Sequence, residues 1–318
     1  MSRFLVFAVR RSVILGLFGV AMVIAGALGA PWHWVFDLTG QFLLPAFVVA
    51  LAIVPVAAFA RWPGLAAAGA AAAVACYALT FPYTTAPSPV TGDPVRFRVL
   101  LFNVWYSNQR LADVAQMIAK VDADLVVIIE APQRVRNALQ QVGSTYPYRF
   151  DCAGSDCDAL MFSRARLLPQ EVRVTSDPDH SPYVTVSTDI AGCKLTLLAT
   201  HMTRPFPNQP YWAQRAQARE IGSAVGLIPG QKLVLGDFNA APWGYVMRTI
   251  AARGGVSVLT GPGGTWPSVL VPQLRIPIDH MLASPGLSFV SREVLPRIGS
   301  DHAPVLAEIA VTDRSQCR

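Results

Sequence analysis

The sequence predicts an α/β fold in which about three transmembrane helices precede a mixed α/β sandwich. Two observations support this division. Of the 318 residues, 53% are hydrophobic and only 14% are charged, whereas charged residues make up about 25% of an average soluble protein. Between Ser12 and Pro82 the only charged residues are Asp37 and Arg61, and from Asp93 onward charges recur normally. The length allows about two domains, so we predict one membrane part and one water-exposed part.

Three apolar stretches near the N terminus have the length of membrane-spanning helices. They lie near residues 12–30, 41–60 and 64–81. Each is close to the roughly 20 residues that cross a bilayer as a helix, although buried core helices or a signal peptide can look similar. Pro31 directly follows the sequence Ala-Leu-Gly-Ala, which disfavours cleavage there, and two more apolar stretches follow. We therefore predict a retained membrane anchor over residues 1–83, joined by a turn-rich linker over residues 84–93.

The arginines of this N-terminal part predict its orientation. Arginines precede the first stretch and Arg61 lies between the second and the third, whereas residues 31–40 contain no Lys or Arg. Under the positive-inside rule the N terminus is therefore cytoplasmic. An odd number of spans then places everything after Tyr83 on the periplasmic or extracellular side of the cell (inner) membrane.

The cysteines of the exported part agree with an oxidising compartment, where disulfides persist. These cysteines are Cys152, Cys157, Cys193 and Cys317. Cys152 and Cys157 flank a turn-like Ala-Gly-Ser-Asp segment that a disulfide could close. Free, buried thiols are the alternative, and cysteine spacing alone leaves both possibilities open.

The chain after the linker alternates strands and helices. Strand patterns occur at residues 96–105, 124–130, 159–163, 183–190, 194–201, 231–238, 278–282 and 303–311. Residues 108–121 predict an amphipathic helix because its apolar side chains recur on one face, and residues 211–228 predict a second helix. Long helices among many short strands favour a mixed α/β sandwich over a repeated βαβ unit.

Polar side chains with catalytic potential recur where the apolar strands end. They are Asn103, Glu130, His201, Asp237, Asn239, Asp279, Ser300, Asp301 and His302. A single Asp or Asn at such a place is usually a turn or a helix cap, but capping does not explain so many. Because neighbouring strands share their ends, we expect these side chains to converge on one rim of a sheet.

The chemistry of this set points to phosphoryl transfer. Carboxylate and amide oxygens suit Mg²⁺ or Mn²⁺, and a hard cation with imidazole and amide donors can stabilise a phosphoryl transition state. The sequence contains no Gly-x-Ser-x-Gly motif, no phosphate-binding P-loop and no dinucleotide-binding glycine motif. A serine hydrolase and a nucleotide-binding domain are therefore disfavoured.

Eight segments of the chain, taken in order, resemble the endonuclease/exonuclease/phosphatase superfamily. They read LLFNVW, VVIIEAP, DALMFSR, LLATHM, LGDFNAAPW, GTWPS, PIDHMLAS and GSDHAPVLAEI. The resemblance covers roughly Val95 to Val311, and the chain looks like a membrane-anchored bacterial member. It implies a DNase-I-like four-layer α/β sandwich over residues 94–312, with residues 313–318 as a tail.

The resemblance also implies the metal site. Glu130 would be the main ligand of a Mg²⁺ or Mn²⁺ ion, and Asn103 would lie beside it. Asp301 would help to hold the ion or its water shell.

The remaining site residues would act on the phosphate. By resemblance, His302 is oriented by Asp279 and works at the scissile phosphate as a base or a charge stabiliser. Asp237 would orient or deprotonate the attacking water, and Asn239 would donate to a phosphate oxygen. His201 is similar to a histidine that contacts the phosphoryl group in the sphingomyelinase-like and phosphatase-like branches.

Three features bear on the substrate. Trp105 stands where many nucleases of the superfamily carry an acidic residue, which weakens the resemblance to repair nucleases. Without the charged residues before Asp93, the net charge is +3, which is mild for a nucleic-acid binder. Residues 203–212 form an aromatic and proline-rich loop that is expected to overhang the site.

These features predict a phosphodiesterase that cleaves a lipid headgroup or another small diester by in-line attack of activated water. The alternatives are a periplasmic or extracellular nuclease and, ranked lower, a catalytically inactive binding module of the same fold. The expected partners are the phosphoester substrate and membrane lipid, and no protein partner is predicted.

Overall fold

The structure is a computed structural model that describes residues 3–152, 158–173, 177, 180–190, 192–205 and 212–317. It begins with helices α1 (Arg3–Gly29), α2 (Trp34–Gly40), α3 (Leu43–Phe59) and α4 (Pro63–Thr84). Helices α1 and α4 are each long and apolar enough to cross a membrane, and α2 with α3 would form a third span if this pair, bent by 55°, counts as one. The predicted apolar helices are thus confirmed, while their orientation stays a prediction.

The chain after these helices contains two six-stranded sheets. The strands are β1 (Arg96–Asn103), β2 (Leu125–Ile129), β3 (Tyr148–Asp151), β4 (Leu160–Ser163), β5 (Leu167–Arg173), β6 (Tyr183–Ile190), β7 (Cys193–His201), β8 (Gln231–Asp237), β9 (Ser257–Val258), β10 (Asp279–Ala283), β11 (Leu287–Val294) and β12 (Val305–Val311). The first sheet has the order β11-β12-β1-β2-β4-β3, and the second has the order β5-β6-β7-β8-β10-β9. Strands β1 and β2 run parallel, as do β7 and β8, whereas their other pairings are antiparallel.

The central strands are apolar on both faces because each face is buried. In β1, Val99 and Leu101 point into the core between the two sheets, whereas Leu100 and Phe102 pack under helices on the outer face. Alternate side chains of a strand point to opposite faces, so a strand covered on both sides reads as a continuous apolar run.

Helices cover the outer face of each sheet. Helices α5 (Leu111–Val121) and α6 (Gln133–Ala138) pack on the first sheet, and α7 (Ala213–Leu227) and α8 (Tyr245–Gly254) pack on the second. The layers are therefore helix, sheet, sheet and helix, and the predicted four-layer α/β sandwich is confirmed.

Residues 31–40, between the first two predicted spans, are largely helical and contact the sandwich. Helix α2 occupies most of this segment, and its Asp37 accepts a hydrogen bond from the backbone N–H of Tyr245 (2.8 Å) at the start of α8. A carboxylate at a helix N terminus satisfies a free N–H and interacts favourably with the helix dipole. The N-terminal helical part therefore contacts the turn between β8 and α8.

A disulfide joins the end of the described chain to the second sheet. Cys193 opens β7 and is bonded to Cys317, 124 residues later. The sequence did not predict this pairing. The Cys152–Cys157 bridge considered above involves Cys157, which lies outside the described residues.

The orientation of the anchor can be tested with reporter fusions. A phosphatase that is active only outside the cytoplasm is expected to be active when fused after Asp93 and inactive when fused after Arg61. The Cys193–Cys317 disulfide supports this expectation, because disulfides persist in oxidising compartments. The reverse pattern of reporter activity would place the sandwich in the cytoplasm.

Candidate active site

The predicted polar side chains meet at one end of the two sheets. Asn103 ends β1 opposite Ile129, the last residue of β2, so Glu130 follows immediately beside it. In the second sheet Asp237 ends β8, where it is paired with His201 of β7 and with Asp279 of β10. Parallel strands end together, and the antiparallel β10 starts where β8 ends, which explains why residues distant in sequence converge.

One carboxylate oxygen is the centre of this arrangement. Asp237 Oδ2 accepts a hydrogen bond from Asn103 Nδ2 at 3.0 Å. The Nε2 atoms of His201 and His302 each lie 3.6 Å from the same oxygen. Asp237 is buried, so an amide and two imidazoles surround a carboxylate that has little contact with water.

Glu130 is held beside this centre by both of its oxygens. Oε1 accepts a hydrogen bond from Asn103 Nδ2 (3.0 Å), and Oε2 accepts one from the backbone N–H of Tyr106 (3.1 Å). The Nε2 of His201 and a guanidinium nitrogen of Arg204 each lie 3.9 Å from Oε1. The carboxylate is therefore fixed in place, while each oxygen keeps a lone pair for a further ligand.

The backbone at the site is unusual. Trp105, Glu130 and Asn239 adopt positive φ angles of 60°, 56° and 48°. A residue other than glycine rarely adopts this region, at a cost on the order of 1–3 kcal/mol, and such residues cluster at functional sites. The unusual backbone therefore falls on two predicted site residues, Glu130 and Asn239, and on Trp105, two residues after Asn103.

Gly236 explains part of the Gly-Asp-Phe-Asn segment. Its φ is +154°, and a Cβ atom at this position would lie 1.8 Å from the carbonyl oxygen of Thr200 in β7. Only glycine allows this close approach of the two strands. The glycine thus brings the end of β8, with Asp237, against the end of β7, with His201.

Each histidine is oriented by its own carboxylate. The Nδ1 of His302 lies 2.8 Å from Asp279 Oδ2, as predicted for this pair. The Nδ1 of His201 lies 2.5 Å from Asp158 Oδ2, a partner that sequence analysis missed. The signal was the Asp directly before the strand pattern at residues 159–163, but its place follows only from the antiparallel pairing of β4 with β2.

The carboxylates change the protonation of both imidazoles. Burial lowers the pKa of His302, but Asp279 and Asp237 outweigh this effect and raise it to about 10. Burial of His201 is likewise outweighed by its hydrogen bond to Asp158 and by Asp237, and the pKa rises to about 9. Both imidazoles therefore carry a proton near neutral pH and can present Nε2–H donors to an anionic phosphate.

Asn239 is fixed by hydrogen bonds on both sides. Its backbone N–H donates to Asp237 Oδ1 (2.9 Å), and its side-chain Nδ2 donates to the carbonyl oxygen of Met202 (2.8 Å). Asn239 also lines a cavity together with Asp301 and His302. The structure thus places it at the site, while its predicted donation to a phosphate oxygen stays a prediction.

The oxygen atoms present fit a hard divalent cation. Asp301 Oδ2 accepts a hydrogen bond from Trp266 Nε1 (3.2 Å), whereas its Oδ1 is buried without a hydrogen-bond partner in the described part of the chain. Together with Glu130 this atom offers the carboxylate chemistry that Mg²⁺ and Mn²⁺ prefer. Asn103 directs its Nδ2 toward the carboxylates, and its Oδ1 accepts from the N–H of Trp105 (3.0 Å). Its role as a ligand stays a prediction.

A second group of side chains could also hold an ion. One ligand atom from each of Asp237, Asp279 and His302 can be chosen so that all lie within 4.8 Å of one another. In this structure, however, His302 and Asp279 are hydrogen-bonded to each other, an arrangement that also serves proton transfer. Ion binding by these three residues and proton transfer by the His302–Asp279 pair predict different activities for variants of Asp279 and His302.

Residues 203–205 and 212 of the predicted overhanging loop are described. Arg204 is 62% exposed and points its guanidinium toward Glu130. Residues 206–211 of this loop lie outside the described residues.

Comparisons with known proteins agree with this architecture. A model of the Endonuclease/Exonuclease/phosphatase family matches residues 100–302. A search of curated protein sequences found no significant match. Solved structures, however, do resemble the chain. An endonuclease/exonuclease/phosphatase from Beutenbergia cavernae DSM 12333 has a TM-score of 0.57 at 18% sequence identity, covering 69% of this chain and 72% of that one.

Two further similar structures have more specific names. Sphingomyelinase C from Streptomyces griseocarneus has a TM-score of 0.50 at 16% identity, covering 67% of this chain and 99% of that one. TDP2 from D. rerio, complexed with a single-strand DNA product, has a TM-score of 0.54 at 16% identity, covering 67% and 98%. At these identities the likeness shows the fold, and it confirms the predicted DNase-I-like sandwich.

Proposed function

Because the chain belongs to the endonuclease/exonuclease/phosphatase family and has its phosphoesterase fold, we propose that it is a membrane-anchored, divalent-metal-dependent phosphodiesterase. It acts on a lipid headgroup or another small diester by in-line attack of activated water. The observation that carries this proposal is the convergence of Asn103, His201 and His302 on one oxygen of Asp237, beside Glu130.

The site residues have different roles in the proposed reaction. The protonated imidazoles of His201 and His302 hold the phosphate and stabilise the charge that develops on its oxygens. Asp279 keeps His302 in the required orientation. Asp237 lies between the two imidazoles and orients or deprotonates the attacking water.

Glu130 and Asp301, with Asn103 beside them, are the residues that would hold Mg²⁺ or Mn²⁺. When bound, the ion supplies positive charge to a phosphoryl oxygen in the transition state. Arg204, whose guanidinium lies 3.9 Å from Glu130, adds positive charge beside these residues. We place the sandwich outside the cytoplasm, anchored in the cell membrane by the N-terminal helices.

A nuclease is the second candidate function. The similar structure of TDP2 holds a single-strand DNA product, and the exposed Arg204 could contact a nucleic-acid phosphate. Against this, a net charge of +3 in the part after the anchor gives few cations for a long polyanion, whose binding depends on neutralised phosphates. We therefore rank lipid headgroups and small diesters first.

A hydrolysis screen tests the proposal. The full-length protein in detergent is expected to hydrolyse bis-p-nitrophenyl phosphate and at least one phospholipid or sphingomyelin with Mg²⁺, and to lose this activity in EDTA. Efficient cleavage of plasmid DNA or RNA with all lipids left intact would reverse the order of the candidates, and a steep salt dependence would support that reversal. Absence of hydrolysis of every substrate, or hydrolysis that survives EDTA, contradicts the proposal.

A further inference from the structure

A cavity of about 290 Å³ lies at the junction of the candidate active site and the membrane part. Asn239, Asp301 and His302 line it from the side of the sandwich, whereas Leu38 and Phe42 line it from the side of the N-terminal helices. One region of the cavity is therefore polar and borders the predicted catalytic groups. Another is apolar and is formed by the end of α2 and the residue before α3, which we call the α2–α3 segment (residues 38–42).

The apolar region continues on the sandwich side. Trp266, Ile276 and Ile278 also line the cavity, and they pack in one hydrophobic cluster with Leu43 of α3. This cluster differs from the cores of the sandwich because it joins the N-terminal helices to the loop before β10. The cavity thus has an apolar wall built from both parts of the chain.

Hydrogen bonds hold the two parts together directly behind this wall. Gln41 Oε1 accepts from the backbone N–H of Ala241, and Trp243 Nε1 donates to the carbonyl oxygen of Gly40 (2.7 Å). These partners lie in the turn that follows Asn239. The position of Phe42 relative to the catalytic residues is therefore fixed by specific polar contacts, in addition to the apolar packing.

Further contacts support the same placement of the membrane part. Two guanidinium nitrogens of Arg215 in α7 donate to the carbonyl oxygens of Ala30 (2.9 Å) and Pro31 (2.8 Å). The carboxylate of Asp37 receives the N–H of Tyr245, as described above. The segment between α1 and α3 is thus hydrogen-bonded to the sandwich at several points. A flexible linker between a membrane anchor and a separate domain would not need these contacts.

We infer that the α2–α3 segment forms one wall of the substrate site, and that its occupant is a phosphodiester lipid with its apolar part against Leu38 and Phe42. This inference rests on the proposed function and narrows its substrate class. An amphiphilic ligand matches this cavity, which is polar beside His302 and apolar beside Phe42. Burying the apolar part of the ligand against Phe42 is favourable, and its phosphate, which would be costly to bury unpaired, can be paired beside His302. Phe42 is 43% exposed, so its ring remains available to a ligand.

The same layout disfavours nucleic acid. A nucleic-acid strand passing over His302 would bring neighbouring phosphates against the apolar wall. Of the described residues that line the cavity, Arg204 and the protonated His302 are the cations, and His302 already contacts the scissile phosphate, so Arg204 alone would be left to pair with the others. A lipid carries one phosphodiester and needs no such second contact. The N-terminal helices, which are apolar enough to span a membrane, would also bring the cavity to the depth at which headgroups lie.

The test compares a lipid with a water-soluble diester in the same protein. Full-length protein is assayed on mixed micelles that contain equal amounts of sphingomyelin, phosphatidylcholine, phosphatidylglycerol and phosphatidylinositol, with the loss of each lipid followed by mass spectrometry. Bis-p-nitrophenyl phosphate, which lacks acyl chains, serves as the soluble substrate. The variants are Phe42→Ala and Leu38→Ala, and Phe59→Ala is the matched control, because Phe59 is apolar, 89% exposed and at the far end of α3.

Phe42→Ala is expected to lower kcat/KM for the cleaved lipid about tenfold, the scale of one lost contact in an apolar pocket. Its rate on bis-p-nitrophenyl phosphate should stay within about twofold of wild type, and Phe59→Ala should change neither.

The inference is overturned if Phe42→Ala and Leu38→Ala both leave lipid cleavage unchanged, or if they slow cleavage of the lipid and of bis-p-nitrophenyl phosphate equally. It is also overturned if bis-p-nitrophenyl phosphate or plasmid DNA is cleaved while all four lipids stay intact. Failure of the wild-type protein on every substrate, including the soluble diester, would instead contradict the proposed function.

Discussion

Replacing Glu130 by alanine is expected to lower Mg²⁺-dependent hydrolysis of bis-p-nitrophenyl phosphate by about a thousandfold. A bound cation stabilises transition-state charge by several kcal/mol, and each ~1.4 kcal/mol corresponds to a factor of ten in rate. Glu130 is the residue that carries this prediction because its carboxylate is buried beside Asp237 and held by Asn103 and Tyr106. The measurement is kcat/KM over a series of Mg²⁺ concentrations.

Glu130→Gln separates loss of charge from loss of structure. Alanine leaves the N–H of Tyr106 without its acceptor, whereas glutamine keeps an oxygen and the same shape. The glutamine variant should therefore melt close to the wild-type temperature and still require a much higher Mg²⁺ concentration for any activity. Glu293→Gln on the exposed side of β11 is the matched control. Full activity of Glu130→Gln at the wild-type Mg²⁺ concentration would show that the ion is held elsewhere.

The strands that build the site could be predicted from the sequence because they are central and apolar on both faces. Strands β1, β7 and β8 each end in a polar residue, and the polar Glu130 directly follows the apolar β2. This contrast marks the rim of each sheet. Strands β3, β5, β9 and β11, which form the edges of the two sheets, were missed. In β5 and β11, Gln170, Glu171 and Glu293 interrupt the apolar pattern on faces exposed to solvent. An edge strand is paired on one side only and commonly carries such residues.

The tertiary partners of the site could not be predicted from local pattern. Asp158 reaches His201 only because β4 runs antiparallel to β2, and this pairing leaves no mark in the sequence around Asp158. The contacts of Asp37 and Gln41 lie 208 and 200 residues away along the chain. Both residues were visible as polar side chains in or next to apolar segments, but their burial against the turn after β8 requires the three-dimensional fold.

His302→Ala is expected to lower kcat on bis-p-nitrophenyl phosphate by up to about 10⁴-fold, the upper range for loss of a general acid or base. The imidazole faces Asp237 Oδ2 at 3.6 Å and is buried, so water cannot easily replace it. Asp279→Asn should lower kcat by about a hundredfold, the lower end of the range for acid–base groups, because the amide keeps the shape but no longer stabilises the protonated imidazole. His180→Ala is the control, since His180 is partly exposed and also contacts a carboxylate, that of Glu220 at 2.9 Å.

The double variant His302→Ala/Asp279→Asn decides what Asp279 does. If Asp279 acts only by orienting His302, its removal costs nothing more once the imidazole is gone, and the double variant should match His302→Ala within about twofold. If instead Asp237, Asp279 and His302 hold an ion together, Asp279 keeps a function without the imidazole, and the two losses should multiply. The Mg²⁺ requirement of the double variant gives an independent answer: it should equal that of wild type when Glu130 and Asp301 hold the ion, and rise when Asp279 does. Near wild-type turnover of His302→Ala on this activated diester would contradict the catalytic assignment itself.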